Sequence, residues 1–132
     1  MHDIGITHIA LTASNIRSSV AFYEKYANMR VVHERPGVVW VSDNTRPFVL
    51  VLIETRQPIL LLAPDSHIGI ALDSADDVDR VAAQAKEEGC LLSPPQDSGP
   101  TIGYWCFLRD PDGHTLEISF GQEVGLTLQK TT

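Results

Sequence analysis

Four side chains in this 132-residue chain have the types and spacing to hold a divalent metal ion: His8, Glu54, His67 and Glu117. Imidazole nitrogen and carboxylate oxygen suit borderline and hard ions such as Ni, Zn, Fe(II), Mn and Co. Two histidines with one or two carboxylates leave coordination positions open for water or substrate, so the ion they hold is catalytic. In such a site the ion polarises a carbonyl, stabilises an enolate or holds a chelating pair of oxygens, while a ligating glutamate, Glu117 or Glu54, moves a proton. Repetition groups these four. His8-Ile9-Ala10-Leu11 precedes a helix-like stretch, and His67-Ile68-Gly69-Ile70-Ala71-Leu72 precedes another. Each copy then runs through short strand-like segments to an acidic residue, Glu54 in the first and Glu117 in the second. A single histidine on a strand is ordinarily a surface or hydrogen-bonded residue. Two histidines and two carboxylates in two copies of one unit are harder to obtain from packing alone.

The elements that must position them follow from local pattern. Ile4 to Thr12 reads as a strand with Ile9 and Leu11 on one face and His8 and Ala10 on the other. Ser14 or Asn15 can cap a helix whose apolar face is Ile16, Val20, Tyr23 and Ala27, with Asn28 as its stop. Strands are expected from Met29 to Glu34, Val38 to Ser42 and Pro47 to Glu54, separated by Pro36-Gly37 and by Asp43-Asn44-Thr45-Arg46. The first copy therefore reads βαβββ. Gln57 to Pro64 is the expected linker. In the second copy His67, Gly69 and Ala71 form a small-residue face opposite Ile68, Ile70 and Leu72. Ser74 caps a helix that carries Asp76 and Asp77 in its first turn and ends at Gly89. After Ser93-Pro94-Pro95 a loop rich in Gly and Pro is expected, then a strand from about Gly103 to Arg109, a type I turn at Asp110-Pro111-Asp112-Gly113, and a last strand from Thr115 to Phe120. There Thr115, Glu117 and Ser119 share a face. Glu54 is the less clean case, because it closes a strand apolar on both faces and lies either at a pocket edge or in solvent.

Composition bounds the function. A net charge of −7, with no basic run, opposes binding to nucleic acid or an anionic membrane surface. Phe48 to Ile53 and Ile59 to Ala63 are the longest apolar stretches and fall well short of the roughly 20 residues that span a bilayer. Met1-His2-Asp3 has neither a basic flank nor a long apolar stretch after it, so a cytoplasmic protein is expected. Cys90 and Cys106 are too few and too far apart for a thiolate metal site, and Cys106 reads as a small buried apolar residue.

Thr7-His8-Ile9-Ala10-Leu11, the helix ending Ala21-Phe22-Tyr23-Glu24, His67-Ile68-Gly69-Ile70-Ala71-Leu72 and, most specifically, Arg109-Asp110-Pro111-Asp112-Gly113-His114-Thr115-Leu116-Glu117 resemble the vicinal oxygen chelate superfamily. That superfamily contains glyoxalase I, extradiol dioxygenases, fosfomycin-resistance enzymes and bleomycin-resistance proteins. The resemblance covers about Ile4 to Gly121. It implies an α+β fold of two βαβββ modules, about residues 4–62 and 66–121, in one domain over 1–132 with a short C-terminal tail. The modules would curl into an open barrel-like sheet around a divalent ion held by His8, Glu54, His67 and Glu117. It also implies a homodimer in which His8 and Glu54 of one chain join His67 and Glu117 of the other. The function expected first is a metal-dependent lyase or isomerase of glyoxalase type acting on a small molecule. Alternatives are an Fe(II) extradiol-type dioxygenase, and a non-catalytic drug-binding protein using Trp40, Tyr104 and Trp105 as stacking surfaces. Bleomycin-resistance members lack the metal ligands, whereas all the ligand types are present here.

Overall fold

The computed structural model describes residues 1–131; Thr132, the end of the expected tail, lies outside the described residues. Contacts divide the chain into two units, Met1–Leu62 with Asp110–Asp112, and Ala63–Arg109 with Gly113–Thr132. The first contains β1 (His8–Ala13), α1 (Ile16–Ala27), β2 (Arg30–Arg35), β3 (Val38–Ser42) and β4 (Val49–Glu54). The second contains β5 (Ile68–Ala71), α2 (Ala75–Glu87), β6 (Leu91–Asp97), β7 (Tyr104–Arg109), β8 (Thr115–Phe120) and α3 (Val124–Gln129). Both sheets have the same topology, β1-β4-β3-β2 in one and β5-β8-β7-β6 in the other. In each, the first strand pairs in parallel with the last, and the remaining neighbours are antiparallel. The expected α+β fold of two βαβββ units is thus present. Among the described residues no helix is long and apolar enough to cross a membrane.

Each sheet buries its aliphatic face under its helix. In the first unit α1 packs on β2, β3 and β4. Phe22, Tyr23, Tyr26 and Ala27 are buried, as are Leu11, Val41, Leu50 and Leu52. The helix begins where Asn15 Oδ1 accepts the Ser18 N–H at 3.1 Å and ends at Asn28 in the left-handed region (φ 53°). In the second unit α2 packs on β6, β7 and β8. It starts with Ser74 Oγ accepting the Asp77 N–H at 3.1 Å, and buries Val78, Ala82 and Ala85. Cys106, Leu108, Leu116 and Ile118, on the paired strands β7 and β8, are completely buried. Burial also pushes the Cys106 thiol up to about 12, aided by the negative charges of Asp79 and Glu117, so it is an inert core residue.

Three local expectations are corrected. β1 begins at His8, because its ladder with β4 starts at the pair His8 and Val49; Ile4 and Ile6 precede it and are exposed. The edge strand β6 runs from Leu91 through Ser93-Pro94-Pro95 to Asp97, into the start of the stretch expected as a loop. Its pairing with β7 slips twice, between Leu91 and Ser93 and between Ser93 and Gln96, and an edge strand tolerates the N–H groups that proline lacks. The Asp110-Pro111-Asp112 turn is also more than a reversal. Tyr23 Oη donates to Asp110 Oδ2 at 2.9 Å, and Ser14 donates from its N–H and its hydroxyl to Asp112 at 3.1 and 2.6 Å. Both carboxylates tie the turn to the start and middle of α1.

Candidate metal centre

Paired residues on neighbouring strands project to the same side of a sheet, so the register sorts every candidate onto a face. In the second unit Gly69 pairs with Glu117 and Phe107 also pairs with Glu117. His67 immediately precedes β5 and alternates onto the same side as Gly69. The side chains meet there. His67 Nε2 lies 4.0 Å from Glu117 Oε1, and the His67 ring stands 4.9 Å from that of Phe107, which is 4.7 Å from Trp105. The helix-free face of this sheet therefore carries a histidine, a carboxylate and a row of aromatic rings.

The tautomer of the neutral His67 ring follows from its other nitrogen. Nδ1 lies 3.1 Å from the carbonyl oxygen of Pro64, which can only accept, so Nδ1 carries a hydrogen and Nε2 is the nitrogen turned toward Glu117. With that nitrogen unprotonated, a cation between it and the carboxylate would satisfy both. The 4.0 Å separation is too long for a direct hydrogen bond and stays within the roughly 4.2 Å that one ion with bonds of about 2.1 Å to each atom can bridge. Glu117 is 7% exposed, and its Oε2 accepts from Gln122 Nε2 at 3.0 Å. A buried carboxylate with one amide donor on one oxygen and its other oxygen turned to a histidine fits a metal ligand. Gly69 makes room for it, since a Cβ there would stand 3.0 Å from Oε2. On the same face the buried Thr115 hydroxyl has no hydrogen-bond partner among the described residues.

In the first unit the two candidates part. His8 pairs with Val49, and two residues further along Ala10 pairs with Val51. The position that corresponds to Glu117 is therefore Val51. Glu54 pairs instead with Ala13, at the far end of the ladder and on the Leu11, Leu50 and Leu52 side. His8 projects from the opposite side, with Ala10, Thr12, Val51 and Trp40. Both residues are exposed, and the His8 ring makes a 3.0 Å hydrogen bond to the Thr7 hydroxyl through Nδ1. The match between Glu54 and Glu117 that the repeat suggested is off by three residues, and an odd slip moves a side chain to the other face. Among the described residues no group of three His, Cys, Asp or Glu side chains comes together within the chain.

Sequence reasoning singled out His67 and Glu117 but missed their supports. Gly69 was legible as part of a small-residue face. Pro64, in the linker, and Gln122, beyond the last strand, carry no periodic signal. His114, in the connection just before β8, is buried, and His33 packs its ring at 5.0 Å from Trp40. Tyr104 bonds to Asp79 through its hydroxyl, which pushes its pKa up to about 12, and so does not join the aromatic row.

The model of the Glyoxalase/Bleomycin resistance protein/Dioxygenase superfamily matches residues 5–118. An uncharacterized protein of Pseudomonas aeruginosa is 40% identical over 127 residues, 91% of each chain. Among solved structures, a possible glyoxalase from Bacillus cereus superposes with a TM-score of 0.74 at 26% identity, covering 89% of this chain and 99% of that one. A lactoylglutathione lyase from Agrobacterium tumefaciens gives 0.64 at 20% identity, over 93% and 98%, a likeness of fold. With a βαβββ unit in each half and a match over most of its length, the chain belongs to the glyoxalase, bleomycin-resistance and dioxygenase superfamily.

Proposed function

We propose that this chain is a metal-dependent enzyme acting on a small molecule that binds through neighbouring oxygens, with the ion held by His67, Glu117 and His8. The single observation that carries the proposal is His67 Nε2 facing the buried Glu117 carboxylate at 4.0 Å while Nδ1 is held by the Pro64 carbonyl. His8 is the third ligand by repetition, since its place in β1 matches that of His67 before β5. We assign it to a site shared across a homodimer, the arrangement that the resemblance implies. Glu54 lies on the opposite face from His8 and is not proposed as a ligand.

When bound, such an ion acts as a Lewis acid on a chelating oxygen pair. The chain's own residues do the rest. Pro64 O holds the His67 tautomer, Gly69 admits the carboxylate, and Phe107 with Trp105 offers an apolar wall against which a planar substrate lies. Glu117 is the carboxylate available to move a proton, which keeps a glyoxalase-type lyase or isomerase as the first reading. A second reading, an Fe(II) ring-cleaving dioxygenase, is favoured by the register of Glu54, because two histidines and one carboxylate are the ligand set of such enzymes.

Elemental analysis of protein purified without added metal or chelator tests both, with His67→Ala and Glu117→Gln alongside. Near-stoichiometric Ni, Zn or Co lost in both variants, with turnover of a 2-oxoaldehyde adduct, supports the lyase. Iron with oxygen uptake on a catechol supports the dioxygenase. Failure of any divalent ion to bind after loading overturns the metal-dependent reading.

A further inference from the structure

We infer that Gln122 is the positioning residue of the proposed metal centre, presenting Glu117 to the ion through Oε1 alone; the inference rests on the reading of His67 and Glu117 as ligands. A carboxylate free to rotate offers either oxygen or both. Here Gln122 Nε2 donates to Oε2 at 3.0 Å and leaves Oε1 as the oxygen nearest His67 Nε2. An amide donor suits this better than a cation would. It occupies one oxygen without cancelling the negative charge that attracts the ion.

The segment that carries Gln122 is itself held by the loop before β7. Gly103 has φ +84°, and a Cβ there would lie 2.4 Å from the Phe120 carbonyl oxygen and 3.0 Å from the Gln122 nitrogen. Only glycine lets the two backbones approach so closely. Two residues earlier Thr101 adopts φ 76°, a conformation that β-branched residues rarely take, and its carbonyl accepts the Glu123 N–H at 3.1 Å. A costly backbone conformation at Thr101 and a glycine pressed against the chain at Gln122 thus both fix the stem of one side chain. That chain reaches back to Glu117 from beyond the strand. Its position explains why Glu117, five residues earlier on β8, has a partner that strand alternation alone cannot supply.

Titration of the metal-free full-length protein with Co(II), followed by visible absorption, tests this in wild type, Gln122→Met and Gln122→Ala, with thermal melting of each metal-free form. Met preserves the length of the side chain but removes the donor, and Gln122 is only half-buried beside the apolar Ile102, Val124 and Leu128, so the substitution is accommodated. The expected result is cobalt affinity weakened by about 10- to 100-fold in both variants. The visible bands should shift as Glu117 changes its mode of ligation, and the metal-free melting temperature should stay unchanged. Variants that bind cobalt within twofold of wild type, with the same spectrum, would overturn the role of Gln122 while leaving the metal reading intact. A wild-type protein that takes up no cobalt, like Glu117→Gln, would overturn both.

Discussion

Between two glutamates that look alike in sequence, the side of the sheet they occupy is what distinguishes them. Glu117 pairs with Gly69 and meets His67; Glu54 pairs with Ala13 and meets no histidine. We therefore expect Glu54→Ala to bind metal with an affinity within about twofold of wild type, while Glu117→Gln loses at least about 100-fold, measured by cobalt titration. Tight binding lost in Glu54→Ala would return that residue to the ligand set. Gly69 gives a finer test. An added methyl group would stand 3.0 Å from Glu117 Oε2, so the carboxylate must shift by a few tenths of an ångström. Gly69→Ala should weaken metal binding by about 10-fold with little change in the metal-free melting temperature, because the strand backbone itself suits alanine. His8, His67 and Glu117 were legible as candidates because strand alternation placed each opposite an aliphatic face. Glu54 misled because repetition was judged from the order of residues along the chain, and the pairing partner that fixes equivalence is not visible there.

At the scale of elements, α1, α2 and seven of the eight strands follow from patterns of period 2 and 3.6 and from their caps. β6 did not, because Pro94 and Pro95 break a strand pattern when the edge position that tolerates them is unknown. Nor did α3, whose Val124, Leu126 and Leu128 are exposed and so give no burial pattern to read. The Asp110–Asp112 turn was legible as a turn but not as an anchor. Burial, with the neighbouring Asp110 and Asp112 charges, drives the Tyr23 phenol above its ordinary range, so it stays neutral and keeps donating. Tyr23→Phe leaves Asp110, itself buried, without that donor and should cost about 1–3 kcal/mol in urea unfolding at neutral pH. Cys106 and Tyr23 also set a common pH response. Each is an acid whose folded pKa is raised, so the unfolded chain releases the proton first. The stability they contribute is full below pH 9, the ordinary thiol value, and is lost as pH rises toward the folded Cys106 value of about 12. Urea midpoints measured from pH 8 upward should therefore fall, and fall less steeply in Cys106→Ala. Equal slopes in the two proteins would remove the thiol from that account.

For the whole molecule, the composition and the repeat limited the possibilities to a two-unit α+β protein with a small-molecule ligand, but a sequence cannot say which copy of a chain supplies which ligand. The proposed centre draws His8 from one chain and the His67–Glu117 pair from another, an arrangement in which the two units of a chain serve different sites. This makes a prediction that no single substitution can make. His8→Ala and the double variant His67→Ala with Glu117→Gln should each bind no metal as pure proteins. Unfolded together in equal amounts and refolded, they form mixed dimers in which one site receives two defective halves and the other receives an intact His8 and an intact His67–Glu117 pair. Metal binding should then return to about one site in four over the whole population, read by cobalt absorbance per chain. If each chain built its own site, every site in the mixture would still lack a ligand and no absorbance would return. The same mixture assayed for turnover then reports whether one repaired centre per dimer suffices for activity.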